Sequence, residues 1–132
     1  MKPYKANKYG SKKVVRDGEV YDSVKEYKRY LELSLLQRAG AIQNLQRQVP
    51  FELIPSQFEY VPTGEYYKQG ERKGQPKMKR ICLAESVKYF ADFVYTENGK
   101  QVVEDSKGVR TKDYIIKKKL MLWVHGIKIK ET

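Results

Sequence analysis

The sequence has very little sulfur or imidazole chemistry, because its 132 residues include one cysteine and one histidine, Cys82 and His125. A single thiol excludes a disulfide within the chain, and one Cys with one His cannot supply the four ligands of a structural zinc site. Any metal site within the chain must therefore use oxygen ligands. The scarcity of cysteine also fits a reducing compartment, so we expect a cytoplasmic protein.

Long apolar runs are also missing. No uninterrupted apolar stretch approaches the ~20 residues needed to span a bilayer, and the first ten residues, MKPYKANKYG, lack the apolar segment of a signal peptide. We therefore expect a soluble, unprocessed chain with no membrane partner. A hydrophobic content of 40% in 132 residues is sufficient to close one core, which predicts a single domain over residues 1–132.

Acidic residues are outnumbered: 16 Asp and Glu stand against 27 Lys and Arg, for a formal net charge of +11. This balance predicts a polyanionic partner, with nucleic acid as the first candidate. The cations concentrate in a basic arm over residues 1–12 and in a long basic loop over residues 55–80, where Tyr66 and Tyr67 are candidates for stacking on bases. The predicted phosphate contacts in or beside these segments are Lys12, Lys13, Lys68, Arg72 and Lys73.

Local signals in the first half predict a hairpin, a helix and a strand. Asp17-Gly18 lies between two short β-favouring runs and indicates a β-hairpin within residues 14–21. Ser23 and Glu26 form a capping box in front of periodic apolar residues, which predicts a helix over residues 23–39. Residues 42–54 favour an edge strand or two short strands, because Pro50 interrupts them.

The second half predicts a hairpin around Asn98-Gly99 within residues 86–106, a helix over about residues 112–121 capped by Thr111, and a short final strand. From residue 23 onward the order is helix, strand, strand, strand, helix, strand. We therefore predict an α/β (α+β) fold with a mixed sheet, preceded by a β-hairpin.

Charged residues interrupt the second hairpin, which otherwise favours buried strands. With a two-residue turn, Asp92 lies opposite Asp105, at ~4.5–5.5 Å between Cβ atoms, where like charges destabilise a sheet. Lys107 lies two residues further along on the same face. Two carboxylates beside a cation suit Mg²⁺, and phosphodiester hydrolysis uses all these parts. A three-residue loop with a bulge would instead place Glu104 opposite Asp92.

Asp92 and the run Asp105-Ser106-Lys107, between a leading helix and a trailing helix and strand, resemble the PD-(D/E)XK nuclease superfamily and its α-β-β-β-α-β core. The phrases DSVKEYKRY, LQRQVPFELIP, YFADFVY, VVEDSKG and KKKL are closest to a group of short phage and prophage proteins, over nearly the whole chain. The resemblance implies that Asp92, Asp105 and Glu26 bind Mg²⁺, with Mn²⁺ able to substitute, and that Lys107 serves the attacking water. Ala91 stands where the family has proline.

The resemblance implies a metal-dependent DNA endonuclease acting in phage or prophage DNA processing or recombination, in the cytoplasm of a bacterial host. A preference for branched DNA rests on family analogy alone. The sequence leaves open a homodimer and a phage or host replication or recombination protein as partners. Lys117, one turn after Tyr114 on the second helix, is the predicted phosphate contact there, and Gln48 resembles a family position near the site.

Simpler interpretations of the same residues stay open. Asp92 and Lys107 can form a cross-strand ion pair, and the capping box alone can explain Glu26. Lys117 can be an exposed, solvated lysine, and the polarity of an edge strand can explain Gln48. At the level of function, the alternatives are a non-catalytic nucleic-acid-binding protein on a nuclease scaffold and a phage protein-interaction module.

Overall fold

The computed structural model describes residues 13–106 and 109–132. The predicted basic arm with Lys12, and Lys107 of the predicted site, lie outside the described residues. The elements in chain order are β1 (Val14–Arg16), β2 (Glu19–Tyr21), α1 (Val24–Arg38), β3 (Gln43–Ile54), β4 (Gln57–Tyr66), β5 (Pro76–Ala84), β6 (Val87–Glu97), β7 (Lys100–Asp105), α2 (Lys112–His125) and β8 (Lys130–Glu131).

The fold is mixed α+β with a mixed sheet and an N-terminal β-hairpin, which confirms the predicted fold class. The chain divides into two compact units, one over Met1–Phe51 and Tyr89–Thr132 and the other over Glu52–Lys88. The prediction of a single domain over residues 1–132 did not include this division. No described helix has both the length and the apolar character that crossing a membrane requires.

The central sheet has the strand order β3-β6-β7-β8. Strands β6 and β7 are antiparallel, whereas β7 and β8 are parallel, with Glu104 paired to Lys130 and Asp105 to Glu131. Strand β3 lies at the edge, as its proline predicts, and is one continuous strand.

The β6–β7 hairpin has the predicted two-residue turn. Glu97 pairs with Lys100, and Asn98 and Gly99 both adopt positive φ, at 51° and 75°, as this turn requires. The ladder continues to the pair of Phe93 with Glu104. The alternative register with a bulged loop, which placed Glu104 opposite Asp92, is therefore wrong.

Helix α1 begins and ends at the predicted signals. The Ser23 side chain accepts a hydrogen bond from the Glu26 N–H at 3.1 Å, and Gly40, with φ at 80°, follows the helix. Leu33 on this helix belongs to the buried core with Phe93 and Tyr95 of β6. The core thereby fixes α1 against the strand that carries Asp92.

Helix α2 is longer than predicted. Thr111 caps it as expected, accepting a hydrogen bond from Tyr114 N at 3.1 Å, but it continues to His125 and ends at Gly126, whose φ is 68°. The residues 120–124, LMLWV, contain no helix breaker, so the helix stops only where glycine permits the left-handed conformation. The predicted final strand is correspondingly short.

The predicted long basic loop over residues 55–80 is wrong. Strands β4 and β5 occupy most of this range and pair as an antiparallel hairpin, with Phe58 opposite Cys82 and Tyr60 opposite Arg80. Proline, glycine and lysine favour a loop, but a two-stranded ribbon tolerates them because its outer edges and both of its faces are exposed. We call residues 57–84 the β4–β5 arm.

Candidate metal centre

Three carboxylates converge in the first unit. One oxygen from each of Asp22, Glu26 and Asp92 lies within 4.8 Å of the others. Asp22 follows β2, Glu26 lies in the first turn of α1, and Asp92 lies on β6. Glu26 and Asp92 are both buried, whereas Asp22 is exposed, so the group is open to solvent on one side.

The helix cap positions two of these residues. Glu26 reaches back so that its Oε2 accepts a hydrogen bond from the Asp22 N–H at 2.7 Å, while its own N–H donates to Ser23. The capping role predicted for Glu26 is therefore present. It also brings the carboxylate of Glu26 beside that of Asp22, so capping and a place in the carboxylate group are compatible.

Gln48 connects Glu26 to Asp92. Its Nε2 donates to Glu26 Oε1 at 3.0 Å and to Asp92 Oδ1 at 3.3 Å. Gln48 has a φ of 51°, a conformation that costs a non-glycine residue ~1–3 kcal/mol and is found at functional sites more often than elsewhere. The side chain predicted to lie near the site thus holds two of its acids.

The electrostatics of the group favour a bound positive charge. Burial, and then the negative charge of Asp92, raise the pKa of Glu26. The positive charge of Arg47, whose Nη2 lies 3.6 Å from Glu26 Oε1, offsets part of this increase in pKa. Three oxygen donors at this spacing fit a hard divalent cation such as Mg²⁺ or Mn²⁺, which would relieve the repulsion that raises this pKa.

Asp105, the third predicted ligand, lies beside the group without belonging to it. Phe93 pairs with Glu104, and Asp92 and Asp105 are the residues next to this pair on the two strands. The N–H of Ser106 donates to Asp92 Oδ2 at 2.9 Å, and the Tyr89 hydroxyl donates to Asp105 Oδ2. Burial, and then the charge of Asp105, raise the pKa of Tyr89, which keeps that hydroxyl a donor.

Glu104 has a structural partner instead. Arg29 of α1 binds it with two hydrogen bonds, from Nε at 2.7 Å and from Nη2 at 2.8 Å, and the Tyr95 hydroxyl donates to it at 2.9 Å. Burial and this hydrogen bond raise the pKa of Tyr95 to about 12. Glu104 therefore connects β7 to α1 through its hydrogen bonds with Arg29.

Comparison with known proteins places the chain in a family. A family model matches residues 6–126, nearly the whole chain. The chain belongs to the DUF1064 family. The description of that family is a protein of unknown function, so membership establishes relationship and no activity. No curated protein and no solved structure matches this DUF1064 chain.

Lys117 of the DUF1064 chain lies on α2. It lines a cavity of about 220 Å³ together with Tyr89, whose hydroxyl binds Asp105, and with the exposed ring of Phe90. The phosphate contact predicted for Lys117 stays a prediction. Of the other predicted contacts, Lys13 precedes β1, whereas Lys68, Arg72 and Lys73 lie at the tip of the β4–β5 arm.

Asp22 is not among the metal ligands predicted from the sequence. The sequence does place Asp22 next to a predicted site residue, because it comes directly before the helix cap and four residues before Glu26. An acid at this position is ordinary near a helix N-terminus, where the helix dipole favours negative charge. Only the approach of Asp92 from β6 distinguishes it from a capping acid.

Proposed function

We propose that this DUF1064 protein is a metal-dependent endonuclease of the PD-(D/E)XK type that hydrolyses DNA phosphodiester bonds. The observation that carries the proposal is the convergence of Asp22, Glu26 and Asp92 within 4.8 Å in a chain of net charge +11. Carboxylates gathered at one point can bind a cation, and the net positive charge of the chain suits a polyanionic substrate.

The proposal gives each residue a role. Asp92 and Glu26 hold the ion, with Asp22 and Asp105 at its periphery, and a bound Mg²⁺ or Mn²⁺ supplies an activated water and neutralises charge on phosphate. Gln48 orients the two central carboxylates. Lys107 orients the water, as the family resemblance implies, and Lys117 contacts a neighbouring phosphate.

DNA as the partner and the bacterial cytoplasm as the location belong to the same proposal. They are supported by the excess of Lys and Arg and by the resemblance to phage and prophage proteins. Action in DNA processing or recombination, a homodimer, and a replication or recombination protein as partner are further parts of it, supported by the resemblance alone.

The test is a cleavage assay on linear, supercoiled and four-way-junction DNA with Mg²⁺, Mn²⁺ or EDTA. We expect cleavage with either metal and none with EDTA, and a loss of at least ~100-fold in the Asp92→Asn variant. Asp17→Asn, in the turn between β1 and β2, makes the same chemical change away from the site and should cleave normally. Cleavage that persists in EDTA or in Asp92→Asn contradicts the proposal.

One observation favours a second candidate, a non-catalytic nucleic-acid-binding protein. Groups of the protein already donate to these acids: Gln48 to Glu26 and Asp92, Ser106 to Asp92, and Tyr89 to Asp105. Such hydrogen bonds can stabilise carboxylates without any ion. Salt-sensitive DNA binding without cleavage under every metal condition supports this candidate, and the absence of both activities supports a protein-interaction module.

A further inference from the structure

We propose that the β4–β5 arm binds a nucleic-acid duplex by entering one of its grooves as a two-stranded ribbon. The inference rests on the proposed function only in taking nucleic acid as the partner. It requires neither a metal nor cleavage, so it can fail or succeed independently of the nuclease assignment.

The shape of the arm fits a groove. Its first strand has 10 residues, and the five from Phe58 to Pro62 that pair regularly with β5 form about 16 Å of ribbon at a rise of ~3.3 Å per residue. The major groove, ~12 Å wide, admits a two-stranded β-ribbon. The two strands pair regularly from Phe58 with Cys82 to Pro62 with Met78, so the ribbon has one defined form over this range.

Both faces of the arm are exposed. Tyr60 is 66% exposed on one face together with Phe58 and Met78, and Ile81 is exposed on the other. An isolated two-stranded hairpin is at best marginally stable in water. A ribbon that leaves apolar groups open on both faces fits insertion into a partner that contacts it from both sides, which is what the two walls of a groove do.

The charge of the arm complements a polyanion. It has three acids, Glu59, Glu65 and Glu71, and twice as many cations, which are Lys68, Arg72, Lys73, Lys77, Lys79 and Arg80. Within the described part of the chain, none of these cations forms an ion pair. Their charges therefore remain available to phosphates.

Aromatic rings hold several of these cations in place. Arg72 and Lys77 lie over the ring of Tyr67, at 5.8 and 5.5 Å from its centroid, and Arg80 lies over Phe58 at 4.0 Å. Because two cations already lie over Tyr67, its ring is poorly placed to stack on an unpaired base. This arrangement favours phosphate contacts through Arg72 and Lys77 over base stacking on the Tyr67 ring.

The tip that carries the basic cluster is an ordered turn. Tyr67 N donates to Gln75 O at 3.0 Å, Gly74 N donates to Tyr67 O at 2.9 Å, and Lys73 N donates to Gly70 O at 3.1 Å. The backbone that presents Lys68, Arg72 and Lys73 is thus held before binding, which lowers the entropy lost when phosphates are engaged.

The test compares binding of a labelled duplex of about 20 base pairs, two helical turns, with binding of one of its strands alone. Fluorescence anisotropy in EDTA excludes cleavage. The arm variant is Lys68→Gln/Arg72→Gln/Lys73→Gln. The control, Lys100→Gln/Lys119→Gln/Lys128→Gln, removes the same charge from exposed positions in the first unit. Both variants must have the same midpoint temperature of thermal unfolding as the parent chain.

We expect the parent chain to prefer duplex over single strand by at least ~10-fold, a difference of ~1.4 kcal/mol. The arm variant should lose at least ~30-fold in duplex affinity and reduce the slope of log affinity against log salt by ~2–3, whereas the control should lose less than ~3-fold. Equal losses in the two variants would overturn the proposal, and so would equal or tighter binding of the single strand.

Discussion

Two effects together raise the pKa of Glu26, the buried acid in the first turn of α1. Burial and the charge of Asp92 both disfavour its ionised form, and its ordinary value is 4.5. The folded chain therefore retains a proton on Glu26 at pH values where the unfolded chain has lost it. Ionising Glu26 must cost stability unless a cation compensates.

The first prediction concerns pH. Without divalent cations, we expect the contribution of Glu26 to stability to be present below pH 4.5 and to be lost as the pH rises through its raised folded-state pKa. With saturating Mn²⁺ this loss should be smaller, and Mn²⁺ affinity should increase with pH, because metal and proton compete. Thermal unfolding and calorimetric titration over a pH series measure both effects.

Glu26→Gln is the control for this titration, since it removes the ionisable group and retains an acceptor for Asp22 N. Between pH 4.5 and the raised pKa of Glu26, the Mn²⁺ affinity of the variant should change less with pH than that of the parent chain. The affinity of the variant should also be lower at every pH. An unchanged slope would assign the titration to another group.

The second prediction concerns Asp22. If it supports the ion, Asp22→Asn should weaken Mn²⁺ binding by ~10-fold or more, the size of effect seen when groups around a metal are changed. Asp17→Asn is five residues earlier and also precedes α1, but it lies outside the carboxylate group and should bind Mn²⁺ normally. Calorimetry on both variants decides the question, and equal affinities would remove Asp22 from the site.

The site residues that could be predicted from the sequence are those whose chemistry is unusual for the helix or strand in which they lie. Asp92 is conspicuous as an acid in an apolar strand, and Glu26 occupies a fixed place in a capping box. Asp22 was not predicted, because only the tertiary approach of β6 makes it different from other acids near helix starts. Lys107 stays a prediction, since it lies outside the described residues.

Among the elements, α1 and β7 are joined by a buried ion pair. The side chain of Glu104 is fully buried, and Arg29 binds it from α1, one turn after Glu26. Removing one partner of such a pair leaves an uncompensated charge in the interior, which costs more than the pair itself contributes.

The third prediction follows from this pair. Arg29→Met should lower the free energy of unfolding by ~3–5 kcal/mol, because Glu104 would stay buried without a positively charged partner. Glu32→Gln is the control: Glu32 binds the same arginine at 2.9 Å, but its side chain is 63% exposed, so its loss should cost less than ~1 kcal/mol. Urea unfolding measures both, and equal costs would show that burial of Glu104 is unimportant.

The elements were predictable where a local signal fixes geometry. Asn98-Gly99 sets the register of β6 and β7, and Ser23 with Glu26 sets the start of α1. The β4–β5 arm was not predicted, because Pro62 and Gly64 are tolerated in a two-stranded ribbon although they are unfavourable inside a larger sheet. The parallel pairing of β8 is non-local and has no signal in the short final segment.

For the whole molecule, net charge is the dominant property. A chain of +11 that contacts six to ten phosphates should lose ~10³–10⁵-fold in affinity for duplex DNA between about 50 and 200 mM salt. This fourth prediction is measured by anisotropy titrations at several salt concentrations in EDTA. Affinity that changes little with salt would show that phosphate contacts do not dominate binding.

Diffraction from a crystal soaked in Mn²⁺ decides whether Asp92 and Glu26 hold a divalent ion. We expect an anomalous peak ~2.0–2.3 Å from a carboxylate oxygen of each residue, with Asp22 in or next to the coordination sphere. A soaked crystal with no peak between these carboxylates, or with manganese bound elsewhere on the chain, would contradict the metal centre and the nuclease proposal that depends on it.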